Sequence, residues 1–332
     1  MKIMPPIIDK HGRIHDYLRI SLTERCNLRC FYCMPEEGAP LKEKSKFMSS
    51  SELLEIAKVF VSMGVKKIRL TGGEPLIKKG ATEIIRELGK LPIELAITTN
   101  AVIVDQFIDV LKEAGVKAIN VSLDSLDESR FKEITRRDYF TRVRNNIDLL
   151  VENDFQVKIN MVVIRGANDD EIVDFVEWTK SSPIHIQFIE FMPFDGNNWN
   201  WEKKVSHEEI YQRIEKHFGE DELLKIEDHP NDTARNFKLI DSVGNFGIIS
   251  SVTNPFCDTC NRIRLTADGK IKNCLFSQSE TDLLKLYREN KSLESTIRQA
   301  ITSKSKKRGG NDDFNNESVA MMKNRSMVTI GG

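Results

Sequence analysis

At 332 residues the chain exceeds the size at which one hydrophobic core usually stops growing, so a large domain with a smaller appendage is expected. Its 49 Lys and Arg nearly balance 50 Asp and Glu, which excludes the broad basic field that holds nucleic acid; any anionic ligand must meet a local cluster of cations. No apolar run approaches the roughly 20 residues that span a bilayer, and Met1–Ile20 shows no signal peptide, so a cytoplasmic protein off the membrane is expected.

From Tyr17 to about Pro193, strand and helix patterns alternate. Strands are expected at Leu18–Leu22, Lys67–Thr71, Glu94–Thr99, Ala118–Leu123, Val157–Ile164 and Ile184–Phe191. Helical periodicity falls between them, at Ser51–Met63, Ala81–Leu88, Asp105–Ala114, Tyr139–Val151 and Asp170–Thr179. Ser50 or Ser51 can cap the first helix and Gly64 end it, as Gly115 ends the third.

Strands separated by helices of this length pair in parallel through right-handed crossovers. The pattern breaks after Met192-Pro193, so the fold class is α/β: a partial (β/α)6 TIM-like barrel over residues 1–193, then a smaller C-terminal α+β extension over 194–332. There a helix at Glu208–His217 and strands near Lys238–Ile240 and Phe246–Ser250 are expected, and the polar stretch Lys304–Asn316 should be mobile without a ligand. Such barrels keep their chemistry at the C-terminal ends of the strands. Those ends are Thr23–Cys33, Gly72-Gly73-Glu74-Pro75, Thr99-Asn100 and Asp124-Ser125.

All six cysteines fall in two groups, Cys26, Cys30, Cys33 and Cys257, Cys260, Cys274. In a reducing compartment, clustered thiols point to metal or redox chemistry rather than disulfides. Three thiolates leave one iron of a four-iron cluster open, as catalysis requires. Zinc is the competing reading at both groups. At the first, the loop Glu24–Glu37 offers no His as fourth ligand; at the second, His207 or His229 could serve. Between the second-group cysteines, Arg262 and Arg264 project to one face of an extended segment, with donors suited to phosphate.

The run Cys26-Asn-Leu-Arg-Cys30-Phe-Tyr-Cys33 resembles the signature of the radical S-adenosylmethionine (SAM) superfamily, and Thr71-Gly72-Gly73-Glu74-Pro75 resembles its glycine-rich loop. The resemblance implies a [4Fe-4S] cluster whose open iron chelates SAM and whose electron cleaves it to a 5′-deoxyadenosyl radical. It also implies SAM contacts from Tyr32, Gly72, Gly73, Glu74, Ser122 and Met192. Phe256-Cys-Asp-Thr-Cys-Asn-Arg-Ile-Arg264 and Asn273-Cys-Leu-Phe276 resemble the GTP 3′,8-cyclase family of molybdenum-cofactor synthesis, a likeness running to Gly331-Gly332.

That family implies a second [4Fe-4S] cluster whose open iron holds guanine. Arg19, Arg69, Thr98, Lys158, Arg262 and Arg264 become GTP contacts, and the glycine tail reaches the site. The implied reaction removes the ribose 3′ hydrogen of GTP, joins C3′ to guanine C8 and reduces the product radical. A low-potential electron donor, a downstream cyclic pyranopterin monophosphate synthase and a homodimer are implied as partners.

The sequence departs from the family at Gln187, usually Arg, and in Lys304–Asn316, which lacks the usual Pro and His residues. The alternatives are another two-cluster radical SAM enzyme that modifies a peptide or protein, and a non-catalytic metal-binding scaffold.

Overall fold

The computed structural model describes residues 4–38, 42–311, 314 and 324–331. Six strands pair in parallel in chain order: β1 (Tyr17–Ser21), β2 (Lys67–Thr71), β3 (Glu94–Thr99), β4 (Ala118–Ser122), β5 (Gln156–Val163) and β6 (His185–Glu190). The helices between and after them are α1 (Ser50–Ser62), α2 (Ala81–Gly89), α3 (Ile108–Glu113), α4 (Glu128–Thr135), α5 (Phe140–Glu152), α6 (Ile172–Trp178) and α7 (His207–Phe218).

Strand side chains alternate between two faces, and the sequence uses each differently. Leu18, Ile20, Ile68, Leu70, Ile97, Ile119, Val121, Ile159, Ile186 and Phe188 are buried in the main core. Each full burial contributes roughly 1.5–3 kcal/mol. The alternate positions Tyr17, Arg19, Arg69, Thr98, Asn120, Lys158 and Gln187 line the interior. A closed eight-unit barrel fills that space with branched apolar side chains. Polar ones here leave a cavity.

Local signals explain most element ends. α1 is capped by Ser49, one residue before the serines expected: its hydroxyl accepts from Glu52 N–H at 3.2 Å, and the Glu52 carboxylate accepts from Ser49 N–H at 2.8 Å. Gly64, at φ +95°, follows the helix as the left-handed stop. α4 went unforeseen, although Asp127 caps it through Arg130 N–H at 2.7 Å.

The expected six-stranded arc is lengthened at both edges by the C-terminal region. After β7 (Leu223–Lys225) and β8 (Ala234–Leu239), β9 (Asn245–Ile249) pairs in parallel with β6; β10 (Arg262–Leu265) pairs in parallel with β1 and is flanked by β11 (Lys270–Lys272) and β12 (Thr281–Asp282). The result is a 12-stranded sheet in the order β12-β11-β10-β1-β2-β3-β4-β5-β6-β9-β8-β7. Both parts of the chain share it. The strand expected near Lys238–Ile240 is the end of β8, and the extended segment read at Arg262–Arg264 is β10; β7, β11 and β12 lay below the resolution of sequence patterns.

Beyond the sheet lie α8 (Leu283–Arg288), α9 (Glu294–Thr302) and a tail helix α10 (Met327–Ile330). Ile330 joins Phe194, Val252, Phe276 and Phe314 in a small second core beside the cavity. Lys304–Asn311, expected to be mobile, is instead pinned by hydrogen bonds from buried cations; residues 312–313 and 315–316 of that stretch lie outside the described residues. Among the described residues no helix is long and apolar enough to cross a membrane.

Candidate active site

The two cysteine groups stand at opposite ends of the strands. Cys26, Cys30 and Cys33 follow β1, at its C-terminal mouth, whereas Cys257 and Cys260 precede β10, and Cys274 follows β11, antiparallel to β10. Because β10 runs parallel to β1, the second group lies at the N-terminal end, a strand length away (about 16 Å at ~3.3 Å per residue). Of the two groups, only the first sits at the C-terminal strand ends where chemistry was expected. All six thiols are free and line one cavity of about 440 Å³.

At the mouth, the glycine-rich loop is pressed against the backbone of the cysteine loop. Gly73 N–H donates to Thr23 C=O at 2.7 Å and Glu74 N–H to Arg25 C=O at 2.8 Å. A Cβ on Gly73 would lie 2.2 Å from the Arg25 oxygen, so glycine is required for the chain itself to pass. Gly72, Gly73, Tyr32, Ser122 and Met192 line the cavity; Glu74 does not. Its fully buried carboxylate accepts from Asn100 N–H at 2.7 Å, Thr99 Oγ1 at 2.8 Å and Leu76 N–H at 3.0 Å, tying the ends of β2 and β3 together. Burial pushes it up to about 7 against those three bonds.

Asp124, a residue the sequence placed at a strand end without a role, accepts from Tyr32 Oη at 2.6 Å and Val162 N–H at 2.9 Å. Burial raises it to about 6. Burial is also the main force on the first-group thiols, raising Cys26 to about 11 and Cys33 to about 12, with Glu74 and Asp124 respectively adding to the push.

Between the two ends the interior is cationic. The register sets Arg19 beside both Arg69 and Arg264, and Tyr17 beside Arg262 and Lys67. Like charges on neighbouring strands destabilise a sheet. Burial, with Arg69 and Arg262 adding to it, pulls Arg19 down to about 10; burial and Arg19 pull Arg264 down to about 9. Burial, then Arg69, also lowers Lys158. Against burial, Arg69, Arg19 and Arg262 draw the Tyr17 phenol down to about 7. Thr98 Oγ1 and Arg262 Nη1 are buried without a hydrogen-bond partner among the described residues. Such a cluster is costly alone and suits a polyanion with hydroxyls.

Gln187 joins a relay rather than leaving a gap. Its Oε1 accepts from Asn120 Nδ2 at 3.3 Å, and Asn120 Oδ1 accepts from Arg69 Nη1 at 2.8 Å, so a guanidinium stands two hydrogen bonds away. Sequence reasoning missed Tyr17, Asn120 and Asn160, which line the same wall. The alternation of polar with apolar residues in β1, β4 and β5 was the signal that could have found them.

The tail reaches the mouth. Gly331 C=O accepts from Arg264 Nη1 at 2.5 Å, and a Cβ on Gly331 would lie 2.5 Å from Thr71 Oγ1; Gly332 lies outside the described residues. Arg325 holds the tail through Asp268 at 2.8 Å and Glu280 at 2.6 Å.

The donor set fits iron–sulfur clusters. Each group is all-thiol and opens on the cavity, and neither His207 nor His229, the possible zinc ligands, lines it. Among the described residues no three Cys, His, Asp or Glu side chains converge closely enough to hold a single ion.

A parallel α/β arc with three thiols at its C-terminal mouth defines a class, the radical SAM proteins, and residues 20–179 match the model of the Radical SAM superfamily. Residues 184–309 match Molybdenum Cofactor Synthesis C. The chain is 46% identical over 332 residues to the mitochondrial GTP 3′,8-cyclase of Arabidopsis thaliana, covering 98% of this chain and 83% of that one. It is 42% identical to the GTP 3′,8-cyclase of Listeria welshimeri, covering 89% and 90%. It is also 42% identical to human molybdenum cofactor biosynthesis protein 1, of whose length it spans about half (51%). Streptococcus suis SuiB, solved with S-adenosylmethionine, shares the fold at a TM-score of 0.63 and 16% identity, over 89% of this chain and 70% of that one. This chain belongs to the radical SAM family that contains the GTP 3′,8-cyclases, and it is an enzyme.

Proposed function

We propose that the chain converts GTP to (8S)-3′,8-cyclo-7,8-dihydroguanosine 5′-triphosphate, the first step of molybdenum-cofactor biosynthesis, using SAM and a [4Fe-4S] cluster on each cysteine group. The observation that carries this reading is the row of cations lining the cavity between the two thiol groups: buried Arg69 with half-buried Arg19, Lys158, Arg262 and Arg264. The first cluster and SAM, when bound, supply a 5′-deoxyadenosyl radical at the mouth.

The chain's own residues position the reactants. Tyr32, Gly72, Gly73, Ser122 and Met192 face SAM, Glu74 holds the strand ends that shape its seat, and Asp124 orients Tyr32. The cations and Thr98 hold the triphosphate and ribose, so that guanine lies toward Cys257, Cys260 and Cys274. Their fixed charges attract a nucleoside triphosphate and are preorganised before it arrives. The docked tail narrows the mouth, which limits side reactions of a radical. A low-potential donor supplies the electron, and a cyclic pyranopterin monophosphate synthase consumes the product; a homodimer and a cytoplasmic location accompany this reading.

The test is anaerobic turnover after reconstitution, with SAM, a strong reductant and each nucleoside triphosphate in turn. GTP alone should yield 5′-deoxyadenosine together with cyclised GTP. Slow SAM cleavage that no nucleotide alters would leave a radical SAM enzyme and remove GTP as its substrate.

A further inference from the structure

One segment folds across the second cysteine group and carries a buried charge to it. Lys304 is 2% exposed, and its Nζ donates to Cys260 Sγ at 3.5 Å and to Arg262 C=O at 3.1 Å. Four residues on, Arg308 N–H donates to Cys257 Sγ at 3.4 Å. Two of the three sulfurs thus receive donors from this strap.

The strap is latched from the other end of the chain. Arg13 Nη1 donates to Cys257 C=O at 2.6 Å and Lys306 C=O at 2.9 Å, and its Nη2 donates to Ser305 C=O at 3.0 Å. Asp9 holds that guanidinium by accepting from Nε at 2.6 Å. Arg13, held by the buried Asp9 four residues before it, reaches carbonyls more than 290 residues away in sequence and clamps the sulfur-bearing loop and the strap into one unit.

The first group is wired differently. Cys26 Sγ accepts from Leu28 N–H at 3.4 Å and Asn100 Nδ2 at 3.7 Å, both uncharged donors. The buried carboxylates Glu74 and Asp124 stand on its side; the cation there, Arg29, donates to the Cys26 C=O at 2.6 Å and not to a sulfur. An electron added to an iron–sulfur cluster raises its negative charge. A fixed ammonium and N–H donors on the sulfurs favour the reduced state, and nearby carboxylates disfavour it.

We propose that Lys304 is a positioning residue that holds the second cluster at a less negative reduction potential than the first, with the strap latched by Arg13 keeping its charge against the sulfur. This rests on the two-cluster reading above. The polarity suits the division of labour: the cluster that must reduce SAM is kept reluctant to hold its electron, and the one at the nucleotide end is not.

The experiment is a potentiometric titration of the reconstituted full-length protein, followed by electron paramagnetic resonance, with iron and sulfide analysis. The second cluster's signal is assigned in a chain whose Cys26, Cys30 and Cys33 are replaced by Ala. Lys304→Met should keep its iron and move the second midpoint to more negative potential with the first unchanged; Lys304→Arg should stay near the parent. If Lys304→Met loses the second cluster while Lys304→Arg keeps both iron and midpoint, the charge is again what matters. Full iron with an unmoved midpoint in Lys304→Met overturns the inference. So does loss of the cluster in both variants, which would make Lys304 a packing residue only. A parent protein holding iron for one cluster breaks the two-cluster reading itself, and that is seen before any variant is measured.

Discussion

The two cysteine groups are alike in sequence and opposite in surroundings. Each offers three thiols to the same cavity. The first sits at the C-terminal mouth, on a loop made rigid by glycine packing and tied to buried carboxylates. The second sits at the N-terminal end beside Lys304 and Arg262, which act against burial to lower the Cys260 thiol, whereas burial raises Cys274 as it raises the first-group thiols. Identical ligand chemistry is thus given two electrostatic settings, and the fold supplies the difference by running β10 parallel to β1.

The largest expected effect tests whether the groups are separable. Cys30→Ala should abolish both SAM cleavage and GTP turnover, whereas Cys260→Ala should abolish turnover and keep slow SAM cleavage; product analysis of 5′-deoxyadenosine and nucleotide reads both. If Cys260→Ala also stops cleavage, the two ends are not independent.

Next in size, Gly73→Ala drives a methyl to 2.2 Å from a backbone oxygen of the first cysteine loop, so iron should be lost from that cluster alone. Iron analysis with Mössbauer spectroscopy checks it. The second group should load normally.

Arg264→Ala and Arg19→Ala address the interior the groups share. Each removes a charge-assisted contact worth about 1.5–3 kcal/mol, so GTP affinity should fall roughly 10- to 100-fold, measured by equilibrium binding. The iron content should not change.

The remaining effect is on stability at the second end and leaves the chemistry aside. Burial first, then Lys304, holds His15 down at about 4, although the Asp9 carboxylate at 3.0 Å works the other way. Between pH 4 and 6.5 the unfolded chain therefore binds more protons at this site than the folded one. Its contribution is present above 6.5 and is lost as pH falls through that window, by roughly 3 kcal/mol at most. His15→Gln should flatten the pH dependence of chemical unfolding over that range.

The sequence carried much of this site through its family resemblance, which implied the substrate contacts, while spacing alone put Arg262 and Arg264 on one face. Arg19, Arg69, Thr98, Lys158, Arg262 and Arg264 were legible and all line the cavity. Glu74 was legible as part of a motif, yet its direction was not: a carboxylate after two glycines can face a ligand or the backbone, and here the backbone amides of Leu76 and Asn100 take it. Lys304–Asn311 misled because polar composition marks mobility only where a segment has no buried partner, and its partners lie nearly 300 residues away at Arg13. The short strands β7, β11 and β12 have two or three residues each, too few for any period to register.

What the sequence determined by itself was local: two thiol groups, the parallel arc, and the cations spaced two apart on extended segments, because spacing along one strand fixes both face and direction. What the tertiary structure alone decided was which end each group occupies and which charges attend it. Those depend on β10 crossing the molecule to pair with β1, and on a lysine and an arginine from opposite ends of the chain meeting at one sulfur-bearing loop.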